Sequence, residues 1–221
     1  MNKKGLTERD ICSKFINPAL KSSGWDLRTQ IREEVTFTDG RVIVQGSLHS
    51  RGKAKRADYI LYYKANMPIA IIEAKDNKHN VGDGMQQALE YSEILDIPFV
   101  FTSNGDSFVF HDKTIQDGPI EREISLEQFP TPDELREKYN TYKNLDNPEL
   151  IEIAEQDYFS DDSGMSPRYY QQIAVNRTVE AVAKGIDRIL LVMATGTGKT
   201  YTAFNIIWRL WKSKKKQRIL F

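Results

Sequence analysis

The chain opens with a helical pattern of apolar positions. Within residues 7–22, Ile11, Ile16 and Leu20 recur near helical spacing after Thr7, a residue type that caps helix N-termini. The pattern predicts a first helix over this segment, ending before Gly24-Trp25-Asp26.

Apolar, strand-like runs dominate the next part of the chain. Residues 27–37 and 41–46 flank Asp39-Gly40, a dipeptide typical of a hairpin turn. Two further strands are predicted at residues 57–63 and 68–75. A helical period follows at 81–95, and a strand pair at 98–112. The run at 68–75 is apolar enough for a central strand. This order predicts an α/β fold, a mixed sheet flanked by helices.

The pattern changes beyond residue 112. Residues 131–143 predict one more helix, and the acidic stretch that follows lacks periodicity. The pattern from residue 167 predicts the start of a parallel βαβ unit. It consists of a helix, an apolar strand at 188–194, a glycine-rich loop, a second helix and a strand at 217–221. We therefore expect a first domain over residues 1–145, a linker over 146–166 and an incomplete second domain over 167–221.

Composition limits the class of protein. The chain has 221 residues, with Lys+Arg 31 balancing Asp+Glu 31, so any nucleic-acid site depends on local clustering of charge. Its single cysteine, Cys12, cannot form an intramolecular disulfide. No apolar stretch reaches the ~20 residues that a membrane span needs, and no signal peptide is visible. We expect a cytoplasmic protein with no membrane association.

Two charged residues end the apolar run at 69–75. Glu73 and Lys75 lie two positions apart in a strand and therefore point the same way. With Asp58 on the preceding strand and the carbonyl of Ala74, they offer the hard oxygen ligands that Mg²⁺ prefers. Such a site hydrolyses phosphodiesters, and Lys75 is placed to orient water or stabilise charge. A surface ion pair is the alternative explanation.

This constellation resembles the PD-(D/E)xK nuclease family, with Ala57-Asp58 in place of Pro-Asp. Gln87 and Tyr91 on the next helix resemble the Gln-x-x-x-Tyr motif of its RecB-like branch, which implies contact with DNA phosphate or support of the catalytic strand. The branch often carries an acid on its first helix, here Glu8, although a first-turn carboxylate is also favoured by the helix dipole.

Basic residues precede Asp58 directly in a predicted turn. Their positive charge suits a DNA backbone held near the metal, and a solvated hairpin tip explains them equally well. They are Arg51, Lys53, Lys55 and Arg56.

A glycine-rich loop lies between the apolar strand and the helix of the second domain. In it, backbone N–H groups and the helix N-terminus favour phosphate, Lys199 reaches the β/γ-phosphates and Thr200 ligates Mg²⁺. The loop consists of Thr195, Gly196, Thr197, Gly198, Lys199 and Thr200. It resembles motif I of superfamily 2 helicases, and Tyr170-Gln171 upstream resembles their adenine-reading Q motif. An ordinary polar helix start is the alternative for Tyr170 and Gln171.

Taken together, the motifs resemble the R subunit of type I restriction enzymes, a PD-(D/E)xK nuclease followed by a RecA-like motor. The resemblance implies double-stranded DNA as substrate, ATP with Mg²⁺ at the motor, and specificity and methyltransferase subunits as partners. The acidic motor motif that activates water is absent from these residues, so we expect a fragment that does not hydrolyse ATP efficiently. We also expect residues 188–221 to be poorly ordered or rearranged, because the parallel sheet lacks its other strands. A non-catalytic DNA-binding or docking module of a helicase or type III-like motor stays open as the alternative.

Overall fold

The computed structural model describes residues 3–38, 42–45, 48–51, 54–160 and 167–220. The chain divides into two compact units, Met1–Tyr139 and Asn140–Phe221. The division falls inside a helix, a few residues before the boundary predicted at 145.

The first helical segment runs as α1 (Glu8–Ile11), a π-helical turn (Cys12–Ile16) and α2 (Asn17–Ser22). Thr7 caps it as predicted, since its side chain accepts from the backbone N–H of Asp10 while the Asp10 carboxylate accepts from the Thr7 N–H. The apolar positions Ile11, Ile16 and Leu20 are fully buried in the main core. The predicted first helix is confirmed.

Six strands form the main sheet in the order β1-β4-β5-β6-β7-β8, and β2 and β3 form a separate antiparallel pair. The strands are β1 (Ile31–Thr38), β2 (Val42–Gln45), β3 (Leu48–Arg51), β4 (Ala54–Tyr62), β5 (Pro68–Ala74), β6 (Phe99–Ser103), β7 (Ser107–Asp112) and β8 (Glu121–Ser125). Among the described strands, only β5 and β6 pair in parallel, and the helix α3 (Met85–Leu95) connects them; the other neighbours in the main sheet are antiparallel. The sheet is mixed, as predicted.

Strand β5 lies inside the sheet, between β4 and β6. Its residues Ile69, Ile71 and Ile72 are fully buried, which explains the unbroken apolar run in the sequence. On β6 and β7, Phe101 and Phe110 stack with ring centroids 4.3 Å apart. The site residues at the end of β5 therefore stand on a buried, well-packed strand.

The predicted hairpin around Asp39-Gly40 is corrected in its pairing. Asp39 and Gly40 lie outside the described residues, but β1 pairs with β4 from Ile31 to Thr38, and β2 pairs with β3. The local turn signal did not show that β1 has a stronger, longer partner further along the chain. Strand β8, in a stretch with weak alternation, was not predicted.

The second unit is helical. Helix α4 (Pro132–Tyr142) crosses the division between the units, and α5 (Pro148–Ala154), α6 (Tyr169–Ala183) and α7 (Lys199–Lys212) follow. Helix α5 lies within the predicted linker, and the side chain of Asn147 caps it by accepting from the Leu150 N–H. The small core of the second unit joins α5, α6 and α7 through Ile153, Val175, Val179, Ala183 and Leu210.

The two strands predicted for the second unit are not formed. Residues 188–194 have no regular secondary structure, and Leu190 and Val192 are 88% and 82% exposed. The described part of 217–221 is irregular as well. A parallel strand needs neighbours to bond its backbone, and no described segment offers one here. The prediction of a βαβ unit was therefore wrong for this structure.

None of the described helices is long and apolar enough to cross a membrane.

Candidate active site

Asp58 and Glu73 face each other across the two adjacent strands β4 and β5. The antiparallel register pairs Tyr59 with Ile72, and the next rung places Asp58 opposite Glu73. The Asp58 carboxylate accepts a hydrogen bond of 2.8 Å from the backbone N–H of Ala74. The two predicted acids and Ala74 are thus brought together by strand pairing alone.

Glu73 is 2% exposed and asymmetrically bonded. Its Oε1 accepts from Lys75 Nζ at 2.9 Å and from Gln87 Nε2 at 2.6 Å. Its Oε2 is buried without a hydrogen-bond partner in the described structure. A carboxylate oxygen in this position is costly unless a cation or a proton satisfies it.

The surroundings shift the acid–base properties of the cluster. Burial, followed by the negative charge of Asp58, raises the pKa of Glu73 to about 7, against the opposing effect of Lys75. Burial also raises the pKa of Asp58 above its ordinary value. Burial lowers the pKa of Lys75, but the hydrogen bond that Lys75 donates to Glu73 and the negative charges of Glu73, Glu8 and Asp58 together outweigh it, so the net direction is up. A divalent cation would relieve the repulsion between the two carboxyls.

Helix α3 supports Glu73 from one side. Gln87 contacts both Glu73 and, at 3.0 Å, the hydroxyl of Tyr91 one turn further on. The resemblance implied that Gln87 either contacts DNA phosphate or supports the catalytic strand. In the structure Gln87 contacts Glu73 on β5, which is the geometry of the second role. Gly84, at the start of α3, has a φ of +98°, and a Cβ there would lie 3.0 Å from Lys75 Cε and 3.2 Å from Glu73 Cγ. Sequence reasoning missed Gly84, although glycine before a helix was a visible signal.

Glu8, at the start of α1, belongs to the surroundings of this cluster. Burial and the charge of Asp58 raise the pKa of Glu8, while Lys75 and Arg56 lower it. Across the described residues, no group of three or more His, Cys, Asp or Glu side chains is close enough to hold a metal ion. Glu8 is therefore a neighbour of the carboxylate pair and does not complete a three-carboxylate site.

The donor set nevertheless fits one hard divalent cation. The Oε2 of Glu73 is buried and unbonded, and the residue opposite Glu73 on β4 is a second carboxylate, Asp58. Mg²⁺ binds protein through one or two carboxylates and keeps several waters, so it does not require a third acid.

The predicted DNA-binding residues were expected in a turn before Asp58, and the structure places two of them elsewhere. Lys55 and Arg56 lie within β4. Lys55 forms an ion pair with Glu90 and lies 5.9 Å from the ring of Tyr91, while Arg56 is 3.7 Å from Glu34. Lys53 lies outside the described residues, and for Arg51 only its place in β3 is described. The predicted turn at this point was wrong for Lys55 and Arg56.

The glycine-rich loop precedes α7 as predicted. Gly196 and Gly198 have φ values of +78° and +81°, which a residue with a side chain rarely adopts. Helix α7 begins at Lys199 and includes Thr200, and the Lys199 ammonium donates to the carbonyls of Met193 and Ala194 at 3.4 and 3.2 Å. Thr197 also donates to Ala194, so the loop bonds mainly to itself.

Gln171 bridges α6 to this loop. Its Nε2 donates to the Thr197 carbonyl at 2.8 Å, and its Oε1 accepts from the Arg168 N–H at 2.9 Å. Tyr170 accepts at its hydroxyl from Arg168 at 3.2 Å. Both ends of the Gln171 amide are bonded within the chain, so reading an adenine edge requires these bonds to exchange.

Comparison with known families places both parts of the chain among restriction enzymes. Residues 28–125 match the family described as Type I restriction enzyme R protein N terminus (HSDR_N). Residues 164–221 match the family described as Type III restriction enzyme, res subunit. The class is therefore that of a restriction-enzyme subunit.

Two curated relatives are endonuclease subunits of type I restriction enzymes. The endonuclease subunit of the type I restriction enzyme EcoAI from Escherichia coli is 55% identical over 222 residues, covering 100% of this chain and 27% of that protein. The EcoKI endonuclease subunit of E. coli strain K12 is 30% identical over 214 residues, 75% of this chain and 17% of that protein. The chain is a homologue of type I restriction enzyme endonuclease (HsdR) subunits and spans about a quarter or less of the length of these relatives.

A solved structure shares the fold. A fragment described as an HsdR subunit of a type I restriction enzyme from Vibrio vulnificus YJ016 superposes with a TM-score of 0.80 at 43% identity, covering 95% of this chain and 39% of that one. The mixed α/β architecture is thus shared with an HsdR fragment.

Proposed function

We propose that the first unit is a metal-dependent DNA endonuclease that hydrolyses phosphodiester bonds, with Asp58, Glu73 and Lys75 at its centre. The observation that carries the proposal is the bare, buried Oε2 of Glu73, opposite Asp58 and beside an ammonium group. Buried polar atoms are usually hydrogen-bonded, and in a purely structural ion pair we would expect both carboxylate oxygens to have partners. The unbonded oxygen of Glu73 is instead open to a cation.

Asp58, Glu73 and the Ala74 carbonyl would hold Mg²⁺, which supplies polarisation of the phosphodiester and a lowered pKa of a bound water. Lys75 Nζ stands beside Glu73 and is positioned to donate to a water or a phosphate oxygen. Gln87 fixes the rotamer of Glu73 through a bond to the oxygen that the metal would not use. Glu8 adds negative charge near Asp58.

Calorimetric titration of Mn²⁺, as a surrogate for Mg²⁺, tests the site in the 221-residue chain. We expect binding by the parent and its loss in Glu73→Gln, with both proteins folded by thermal melt. Glu93→Gln, an exposed acid on α3, is the matched control and keeps the parent affinity. Absence of binding in the parent contradicts the nuclease proposal and favours a DNA-binding or docking module.

We further propose that the loop from Thr195 to Thr200 binds ATP with Mg²⁺. The left-handed glycines at the start of α7 and the Lys199 ammonium inside the loop support this. Binding of a fluorescent ATP analogue should fall at least tenfold in Lys199→Ala and stay unchanged in Lys212→Ala, a lysine at the other end of the same helix. Equal binding by both variants contradicts a phosphate role for the loop.

We also propose a role in ATP-driven DNA translocation and assembly with specificity and methyltransferase subunits. The homology to type I restriction enzyme endonuclease subunits supports this role.

A further inference from the structure

An irregularity in β1 lies directly beside Asp58. The register pairs Glu33 with Tyr59 and Val35 with Ala57, which leaves Glu34 opposite Asp58. Glu34 has a φ of +52°, a left-handed conformation that a residue with a side chain rarely adopts in a strand. Strained backbone of this kind persists where the surroundings impose it, and it concentrates at functional sites.

The side chain of Glu34 has a specific partner. Its carboxylate lies 3.7 Å from the guanidinium of Arg56, two residues before Asp58. Arg56 acts electrostatically on both Asp58 and Glu8, so its charge lies close to the acids of the site. In the described part of the chain, however, Arg56 makes no hydrogen bond to Asp58, and Glu34 is its ion-pair partner.

An arginine near a metal-binding carboxylate is a competitor for that carboxylate. A guanidinium pairs with carboxylates in a fork geometry, and a cation cannot share the same oxygens. With Glu34 absent, the acids left to attract Arg56 include Asp58 and Glu8, on both of which its charge acts.

We propose that Glu34 is a positioning residue that holds Arg56 away from Asp58 and so keeps the Asp58 carboxylate available to the divalent cation. This inference rests on the proposed metal site and adds a residue to it. Glu34 touches neither metal nor substrate and acts through Arg56. The left-handed backbone at Glu34 is the feature that brings its carboxylate to this partner.

Mn²⁺ calorimetry on single and double variants of the 221-residue chain tests the proposal. Since the Glu34–Arg56 pair is exposed, Glu34→Gln should weaken Mn²⁺ binding by roughly two- to fivefold, the factor that one exposed ion pair supplies. Glu33→Gln, the preceding acid of the same strand, should bind like the parent. Arg56→Gln should bind at least as tightly as the parent, and the double variant Glu34→Gln/Arg56→Gln should match Arg56→Gln.

The double variant separates the proposal from simpler explanations. If Glu34 acted only through its own negative charge, the double variant would bind more weakly than Arg56→Gln, and the proposal would be overturned. Equal affinity of Glu34→Gln and the parent also overturns it, and leaves the metal site intact as long as the parent binds Mn²⁺. A parent that does not bind Mn²⁺ removes the proposed function and this inference with it.

Discussion

Replacement of Glu73 by glutamine should stabilise the protein at alkaline pH while removing metal binding. Glu73 is buried on a central strand, and its pKa lies at about 7 in the fold against an ordinary value of 4.5. Between these two pH values the folded chain keeps a proton that the unfolded chain loses. Stability therefore falls as pH rises from 4.5 to 7, and the full cost of the ionised group is present above pH 7.

The size of the effect follows from the two pKa values. A difference of this magnitude corresponds to about 3 kcal/mol at pH 8, because each tenfold change in proton affinity is worth about 1.4 kcal/mol. Glutamine keeps the shape of the side chain and removes the charge. For a unit of this length, the variant should melt roughly 5–10 °C above the parent at pH 8, and the two melting temperatures should converge near pH 4.5.

Thermal melts in metal-free buffer from pH 4.5 to 8.5 measure this difference. Glu93→Gln, which removes an exposed charge from α3, should show no pH-dependent difference from the parent. The reasoning would be refuted by a Glu73→Gln variant that is less stable than the parent at pH 8. A difference in melting temperature that is the same at all pH values would refute it as well. Such a result would mean that Lys75 and Gln87 fully compensate the buried charge.

Three further predictions concern the same site. Mn²⁺ affinity should rise about tenfold per pH unit below pH 7 and level off above it, because binding displaces the proton of Glu73; a flat calorimetric profile contradicts this. Gly84→Ala should cost about 1–3 kcal/mol in denaturant unfolding and weaken Mn²⁺ binding, whereas Gly118→Ala, also at positive φ but with open space around it, should lose stability alone. Glu34→Gly should be more stable than Glu33→Gly by about 1–2 kcal/mol, because only the first relieves a left-handed residue; equal unfolding energies would show that Glu34 is not strained.

The order of elements in the first unit was readable because its signals are local. A cap at Thr7, an unbroken apolar run at 69–72 and a helical period after Gly84 each depend on neighbours within a few residues. Strand pairing is not local. The pairing of β1 with β4 skips residues 39–53, and a turn signal between them predicts a different partner.

The sequence predicted most residues of the candidate site but not the contacts between them. Alternation places Glu73 and Lys75 on one side, and the register then brings Asp58 opposite Glu73. Nothing in the sequence marks Glu34, since an acid in a strand gives no sign of a positive φ. The ion pairs of Lys55 and Arg56 are likewise set by elements far along the chain or across the sheet.

In the second unit the predicted glycine-rich loop and helix start are present, but the predicted strand before them is not. Glycine conformation and a helix start depend on the loop itself, and both are present at Gly198 and Lys199. A buried parallel strand depends on neighbours that bond its backbone and cover its faces. Leu190 and Val192 instead expose most of their surface. Their apolar sequence is typical of an environment that the described residues do not supply. The glycine-rich loop is therefore held by Gln171 from α6 and by its own carbonyls.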